Sequence, residues 1–204
     1  MPDRKEHWER VYRDKLPGEV SWYQQEPSLS LQLISRLALA PDAPIIDIGG
    51  GASTLVDQLL DRGFTNISVL DVSTNALAHA KSRLELRAKL VNWYEQDVTL
   101  FEPPNRFALW HDRAVFHFLT RNADRDRYIS ILKKALEPGG HFIIMTFAIG
   151  GPLKCSGLDI VQYDANKMTE LLGPDFELAE TGKEVHETPA GGRQSFAYFR
   201  FIFR

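Results

Sequence analysis

The sequence predicts an α/β fold, a doubly wound and mostly parallel sheet with helices on both faces. Strand and helix patterns alternate from about residue 44, and this order implies right-handed crossovers between parallel strands. The first strand pattern, Ile45–Ile48, is a continuous apolar run, as a strand buried on both faces requires. The tail differs, because two strand patterns joined by "TPAGGR" predict an antiparallel C-terminal hairpin.

Two helices are predicted before the first strand. Asp3 and Glu6 have the spacing of a capping box in front of an amphipathic stretch. A second helix is predicted from Ser28 to a stop before Pro41. The segment between them, "GEVSWYQQEP", is predicted to be a loop.

The other elements follow in chain order. A helix over residues 53–62 is ended by Gly63, and the second strand, "NISVLDVS", ends at Asp71 before a helix capped by Ser73. A weaker third strand ends near Asp97 and the fourth is "FALWHD". A helix around residues 128–136 stops at "EPGG", and "HFIIMTF" is the fifth strand. The hairpin strands are "FELAETGKEVHET" and "QSFAYFRFIFR".

Size and composition limit the classes of protein to consider. The chain has 204 residues, 44% hydrophobic and 25% charged, which predicts one globular domain with residues 1–43 as an N-terminal helical segment and 44–204 as the core. A net charge of -3 argues against nucleic acid as a partner. A lone Cys155 gives neither a disulfide nor a metal cluster, and no signal peptide or membrane span is present, so we expect a cytoplasmic protein without metal.

The stretch "PIIDIGGGAS" predicts a ligand site at the end of the first strand. In doubly wound sheets the first strand-to-helix turn contains glycines because the backbone approaches the ligand closely. An acidic residue about twenty positions later accepts hydrogen bonds from ribose hydroxyls, and Asp71 stands at that distance from Gly51. The ligand is therefore predicted to contain adenosine.

Two adenosine ligands fit this pattern, a nicotinamide dinucleotide and S-adenosylmethionine. The dinucleotide fingerprint fails at its third glycine, where Thr54 stands. Asp47, just before the glycines, would repel a pyrophosphate but suits a ligand with an ammonium or sulfonium group. These features favour S-adenosyl-L-methionine. An NAD-linked oxidoreductase and a non-enzymatic cofactor-binding module are the alternatives.

Four motifs together resemble the class I S-adenosylmethionine-dependent methyltransferases: "DIGGGAS", "LDVS", "EQDVT" and "LEPGGHF". The resemblance extends from Pro44 to the C-terminus. It implies a Rossmann-like, seven-stranded sheet whose antiparallel seventh strand lies between the fifth and sixth, and an enzyme that transfers one methyl group. One position departs from the family pattern, because Ser53 replaces the third glycine. Serine is small and caps helices, so the loop keeps its function.

The motifs assign a set of cofactor-binding residues. Asp47 either touches the cofactor or orients the loop, Asp71 binds ribose, and residues 97–98 resemble the family's adenine contact. The N-terminal loop resembles a segment that closes over the cofactor in related enzymes, with a tryptophan beside the methionine arm. The predicted cofactor-binding set is Asp47, Gly49, Gly50, Gly51, Ser53, Asp71, Val72, Asp97, Val98, His111 and Trp22.

Histidine is the side chain most readily poised as a base near neutral pH, so His111 and His117 are the candidate catalytic residues. His117 stands in the apolar stretch "VFHFL", which equally fits a packed core histidine. The N-terminal helices and the connection "GGPLKCSGLDIVQYD" are predicted to form the acceptor pocket. "HDRA" follows the fourth strand where base and glutamine methyltransferases have an NPPY-type motif, so a small molecule or a protein lysine is the expected acceptor.

Overall fold

The structure is a computed structural model, and it describes residues 4–204. Asp3, the first residue of the predicted capping box, lies outside these residues. In the described part of the chain, no helix is both long and apolar enough to span a membrane. Its helices are α1 Arg4–Asp14, α2 Ser28–Ser35, α3 Leu55–Asp61, α4 Thr74–Leu84, α5 Asn122–Ala135 and α6 Ala165–Leu172. Its strands are β1 Ile45–Ile48, β2 Ile67–Asp71, β3 Val91–Glu95, β4 Phe107–Arg113, β5 Leu136–Phe147, β6 Lys154–Cys155, β7 Leu158–Asp159, β8 Phe176–Glu187 and β9 Arg193–Phe203.

Seven strands form one sheet in the order β3-β2-β1-β4-β5-β9-β8. Strands β1 to β5 pair in parallel, whereas β9 runs antiparallel between β5 and β8. This confirms the predicted seven-stranded sheet, including the position of the last strand. In the register, Ile48 of β1 stands beside Leu70 of β2 and Asp112 of β4. The carboxyl ends of these three strands therefore meet at one edge.

The sheet is covered on both faces, as the continuous apolar runs predict. Neighbouring residues along β4 point to opposite sides, because Leu109 packs in one core cluster and Trp110 in the other. The Trp110 side also contains Tyr128 and Leu132 of α5. The whole of β1 is buried, so the first strand is held rigidly from two sides.

Element boundaries differ from the sequence prediction in two helices. Helix α2 ends at Ser35, well before Pro41, because the backbone turns at Ala38, which has a φ of +50°. Helix α5 begins at Asn122 rather than near residue 128. Its first turn is polar and charged, so it carries no hydrophobic periodicity by which a sequence pattern would detect it.

Strand β5 begins at Leu136, but "EPGG" at residues 137–140 interrupts its pairing with β4, which passes from Leu136 opposite Phe107 to His141 opposite Leu109. The turn chemistry is visible in the backbone. Gly139 has a φ of +81°, and the pairing with β4 shifts register between Phe107 and Leu109. A bulge therefore lies where the glycines stand. The C-terminal hairpin is confirmed, and the connection after β5 contains a small two-stranded hairpin, β6–β7, that the sequence pattern did not reveal.

Candidate active site

The glycine loop connects β1 to α3 and bends sharply at its first residue. Gly49 has a φ of +66°, a left-handed conformation that side chains other than glycine rarely adopt. Its N–H donates to the carbonyl oxygen of Leu70 over 2.6 Å and ties the loop to β2. A Cβ atom on Gly49 would lie closer than 3.0 Å to Val115. Backbone conformation and packing both require glycine here.

The next two glycines make room for aspartates. A Cβ atom on Gly50 would lie closer than 3.0 Å to the carboxylate of Asp47, and one on Gly51 equally close to the carboxylate of Asp71. The Gly51 N–H also donates to Asp71 Oδ2 over 3.1 Å. Both glycines are thus explained by the protein's own side chains, and Gly51 lines neither of the two pockets described below.

Asp71 ends β2 and is almost fully buried. Its carboxylate also accepts the Ser73 N–H over 2.8 Å. Burial raises the pKa of Asp71 to about 6, although the N–H donors of Ser73 and Gly51 oppose this rise. A carboxylate has about four acceptor positions, so positions remain for ribose hydroxyl donors. At pH 7 the group is ionised and suited to its predicted role.

Asp97 follows β3 and has partners of its own. Its Oδ1 accepts from the N–H and the hydroxyl of Thr99 over 2.8 and 2.7 Å, and its Oδ2 accepts from Arg4 over 2.9 Å. Arg4 pairs with Asp124 as well. The carboxylate of Asp97 therefore caps a turn and holds α1, which leaves the backbone of residues 97–98 as the group better placed for an adenine.

Asp47 and His111 form a buried pair beneath the glycine loop. His111 Nδ1 lies 2.7 Å from Asp47 Oδ1, and His111 Nε2 lies 2.9 Å from the Ser30 hydroxyl. All three side chains are buried. Both ring nitrogens of His111 are thus engaged, an arrangement typical of a positioning residue. Of the two roles predicted for Asp47, the contacts with His111 and the glycine loop favour orientation of the loop.

His117 is fully buried and lines neither pocket. Its ring stacks on Phe147 at 4.9 Å, and in the part of the chain that the structure describes neither ring nitrogen has a hydrogen-bond partner. Burial, with a contribution from Arg113, lowers its pKa to about 3, so the ring is neutral. The role of His117 as a base stays a prediction that this geometry does not favour.

Two adjoining pockets open at the carboxyl ends of β1, β2 and β4. The first pocket, lined by α1 and these strand ends, has about 750 Å³ of space when the open solvent at its mouth is included. The second pocket lies beneath the loop of residues 17–24. Predicted residues on the first pocket are Trp22, Gly49, Asp71, Val72, Asp97 and Val98. Those on the second are Trp22, Asp47, Gly49, Gly50, Ser53 and His111.

The serine that replaces the third glycine acts at the start of α3. Ser53 Oγ accepts the N–H of Leu55, the first residue of the helix, over 3.1 Å. Ser53 therefore satisfies one of the donors left open at a helix N-terminus. The departure from the family's glycine pattern leaves this turn intact.

Aromatic side chains enclose the first pocket on the side of α1. Trp8 contacts Trp22 edge-to-face with ring centroids 5.5 Å apart, and Phe118 at 5.1 Å. The Trp22 indole N–H donates to the Tyr12 hydroxyl over 3.0 Å. Sequence reasoning selected Trp22 but missed the other three. The helical spacing of Trp8 and Tyr12 puts them on one face of α1, but only the tertiary fold shows what that face covers.

Arg113 is the arginine of the "HDRA" stretch, to which the sequence analysis gave no role. It lines both pockets, its side chain is only 11% exposed, and Nη1 donates to the Trp22 carbonyl oxygen over 3.0 Å. Burial lowers the pKa of Arg113, while the carboxylates of Glu184 and Asp47 raise it. The alternation of side chains along β4 was the available signal, because Arg113 points to the same face as His111 two residues earlier.

Residues 46–142 match a family model described as a methyltransferase domain. In this stretch and in its fold, the chain is similar to the class I S-adenosylmethionine-dependent methyltransferases. A solved S-adenosylmethionine-dependent methyltransferase from Anabaena variabilis has the same fold, with a TM-score of 0.77 and 18% identity over 100% of this chain and 96% of that one. The N-methyltransferase NodS of Bradyrhizobium japonicum, solved with S-adenosylhomocysteine, gives a TM-score of 0.71 and 18% identity over 98% of this chain and 99% of that one.

Among characterised proteins, the chain is 26% identical to EEF1A lysine methyltransferase 2 of Mus musculus over 156 residues. The match covers 69% of this chain and 64% of that relative's length. The family's cofactor is S-adenosylmethionine, and the pocket suits it. The buried Asp71 carboxylate fits ribose hydroxyls, and Gly49 and Gly50 of the glycine loop line the pockets. The aromatic wall, formed by Trp8, Tyr12, Trp22 and Phe118, fits a sulfonium through cation-π attraction.

Proposed function

We propose that this protein transfers a methyl group from S-adenosylmethionine to the side-chain amine of a lysine in a protein. The observation that carries the proposal is the enclosure of the first pocket by Trp8, Trp22 and Phe118. A primary amine attacks only when neutral, and loss of water together with the nearby sulfonium charge lowers the pKa of an ammonium group in this enclosure. Similarity to a lysine methyltransferase of eEF1A supports the same class of acceptor.

The chain's own residues act by positioning in this proposal. Methyl transfer is an in-line displacement, in which the amine nitrogen bonds to the methyl carbon while the carbon–sulfur bond breaks and sulfur keeps the electron pair. The amine then loses its proton to water. Such a reaction gains most from alignment and exclusion of water. Asp71 and the glycine loop orient the adenosine, and the aromatic wall excludes water at the transfer point.

The N-terminal segment completes the proposed site as a cover over the core domain of residues 44–204. Glu9 of α1 accepts the N–H groups of Thr74 and Asn75 over 2.7 and 3.1 Å, at the start of α4. Arg4 holds the first turn of α1 to Asp97. The helix is thus fastened at two points across the first pocket. A cytoplasmic location agrees with the lone cysteine, which is a free thiol.

The test is methylation of purified eEF1A with S-adenosylmethionine carrying a tritiated methyl group. We expect label in the protein and methyl-lysine in its peptides by mass spectrometry. Asp71→Ala should abolish incorporation, whereas Asp61→Asn, a change at an exposed ion pair with Arg87, should retain it. If eEF1A stays unlabelled, the same assay on the protein and small-molecule fractions of a cell extract decides the acceptor. Label confined to the small molecules would contradict the lysine assignment.

A further inference from the structure

Arg113 has buried hydrogen-bond donors that no group among residues 4–204 satisfies. A guanidinium has five N–H donors. One bond is made, from Nη1 to the Trp22 carbonyl oxygen, while Nε and Nη2 are buried without a partner. A buried donor left unpaired destabilises the fold, and more so when it is charged. The side chain is therefore placed to donate hydrogen bonds to an acceptor group of a bound ligand.

The nearest carboxylate does not fill this need. Glu184 Oε2 lies 3.9 Å from Arg113 Nη2, beyond hydrogen-bond reach, and this oxygen is itself buried without a partner. The other oxygen of Glu184 accepts from Gln24 over 3.3 Å. One face of the guanidinium lies over the Phe196 ring at 4.8 Å. Glu184 thus offsets the charge of Arg113 at a distance and leaves its donors free for an in-plane anion.

We propose that Arg113 binds the carboxylate of the methionine moiety of S-adenosylmethionine, an assignment that rests on the proposed function. Arg113 lines the first pocket and also the second, together with Gly49 and Gly50. The carboxylate is the anionic group of this ligand, since the sulfonium and the ammonium are cations. Parallel N–H donors of arginine match the two oxygens of a carboxylate.

The other cation on these pockets, among the described residues, is Arg4. Arg4 is already paired with Asp97 and Asp124, so its charge is neutralised. A protonated lysine would be repelled by Arg113. We therefore expect the acceptor amine to approach the methyl group on a path away from Arg113.

The test compares two ligands that differ by one carboxylate, S-adenosylhomocysteine and its decarboxylated analogue S-adenosyl-3-thiopropylamine, by isothermal titration calorimetry. We expect Arg113→Gln to weaken binding of S-adenosylhomocysteine roughly 10- to 100-fold, the size of a lost charged hydrogen bond. Binding of the analogue should change little. Arg113→Lys, which keeps the charge, should give an intermediate loss for S-adenosylhomocysteine alone. The matched control Arg4→Gln should weaken both ligands by the same factor.

Each other result has a distinct meaning. Equal weakening of both ligands by Arg113→Gln and Arg113→Lys would assign Arg113 a purely structural role and overturn the proposal. Unchanged affinity for both ligands, with a raised KM for the acceptor, would place Arg113 at the acceptor and overturn it as well. A wild-type protein that binds neither ligand would contradict the proposed function itself. Melting temperatures without ligand show whether each variant is folded.

Discussion

The two ends of the first pocket differ in how their polar groups are satisfied. At the end formed by β2 and β3, the carboxylates of Asp71 and Asp97 accept hydrogen bonds from nearby N–H groups. At the other end, Arg113 of β4 has buried donors with no partner among residues 4–204. The polar groups of the first end are already hydrogen-bonded within the protein. The donors at the second end are satisfied only when a ligand binds. This difference distinguishes polar residues that stabilise the fold from polar residues that are available to bind the cofactor.

The largest expected effect on cofactor affinity is that of a substitution at Gly51. We expect Gly51→Ala to weaken S-adenosylhomocysteine binding roughly 100-fold, because a Cβ atom there displaces the Asp71 carboxylate and disturbs more than one charged hydrogen bond. Gly18→Ala is the matched control, since Gly18 has open space around its Cβ position and no left-handed backbone. Titration calorimetry measures both. Normal affinity in Gly51→Ala would show that the glycine–aspartate contact is unnecessary.

Two buried tyrosines differ in the hydrogen bonding of their hydroxyl groups, and this difference can be tested by the stability of variants. The Tyr128 hydroxyl accepts from Trp110 over 2.9 Å and donates to Asp112 over 2.7 Å, whereas the Tyr163 hydroxyl, in the connection after β5, has no partner. Tyr128→Phe should lower stability by about 1–3 kcal/mol, a fall in melting temperature of several degrees. Tyr163→Phe should be neutral or stabilising. Differential scanning calorimetry measures the melting temperatures of the two variants, and equal decreases in melting temperature would contradict the expectation.

A smaller effect is expected from pH. The pKa of Asp71 is raised to about 6, so the carboxylate protonates as the pH falls through that value and loses acceptor positions for ribose hydroxyls. If the ionised form alone binds well, affinity for S-adenosylhomocysteine should fall about tenfold between pH 7 and pH 5. Asp71→Asn should bind weakly at every pH, without this dependence. A wild-type affinity that is flat from pH 7 to pH 5 would contradict the raised pKa, and normal affinity of Asp71→Asn would contradict the ribose contact.

The sequence patterns that succeeded are local ones. The apolar run Ile45–Ile48, the glycines after it and Asp71 each lie within a short stretch, and close spacing fixes their relation in a parallel sheet. The hairpin was also predictable, because its turn residues and flanking strands are contiguous. The start of α5 was not, since its first turn is polar and makes no apolar pattern.

The rest of the site depends on contacts between distant segments. Arg113 meets Glu184 across 71 residues of chain and Trp22 across 91, and no spacing rule relates such positions. His111 illustrates the same limit, because its partner Ser30 lies 81 residues away. The sequence suggested a free histidine at the rim, and the tertiary fold supplied partners for both ring nitrogens. Roles assigned by residue type alone are least reliable where burial decides which atoms are free.

The most direct test of the account is a crystal structure of the protein with S-adenosylhomocysteine. We expect the ribose hydroxyls within hydrogen-bond distance of the Asp71 carboxylate, and the homocysteine carboxylate on Arg113 Nε and Nη2. We also expect that Asp71 keeps its bonds to Gly51 and Ser73. A ligand bound elsewhere, or bound in this pocket with Arg113 still unpartnered and Asp71 displaced, would contradict the account.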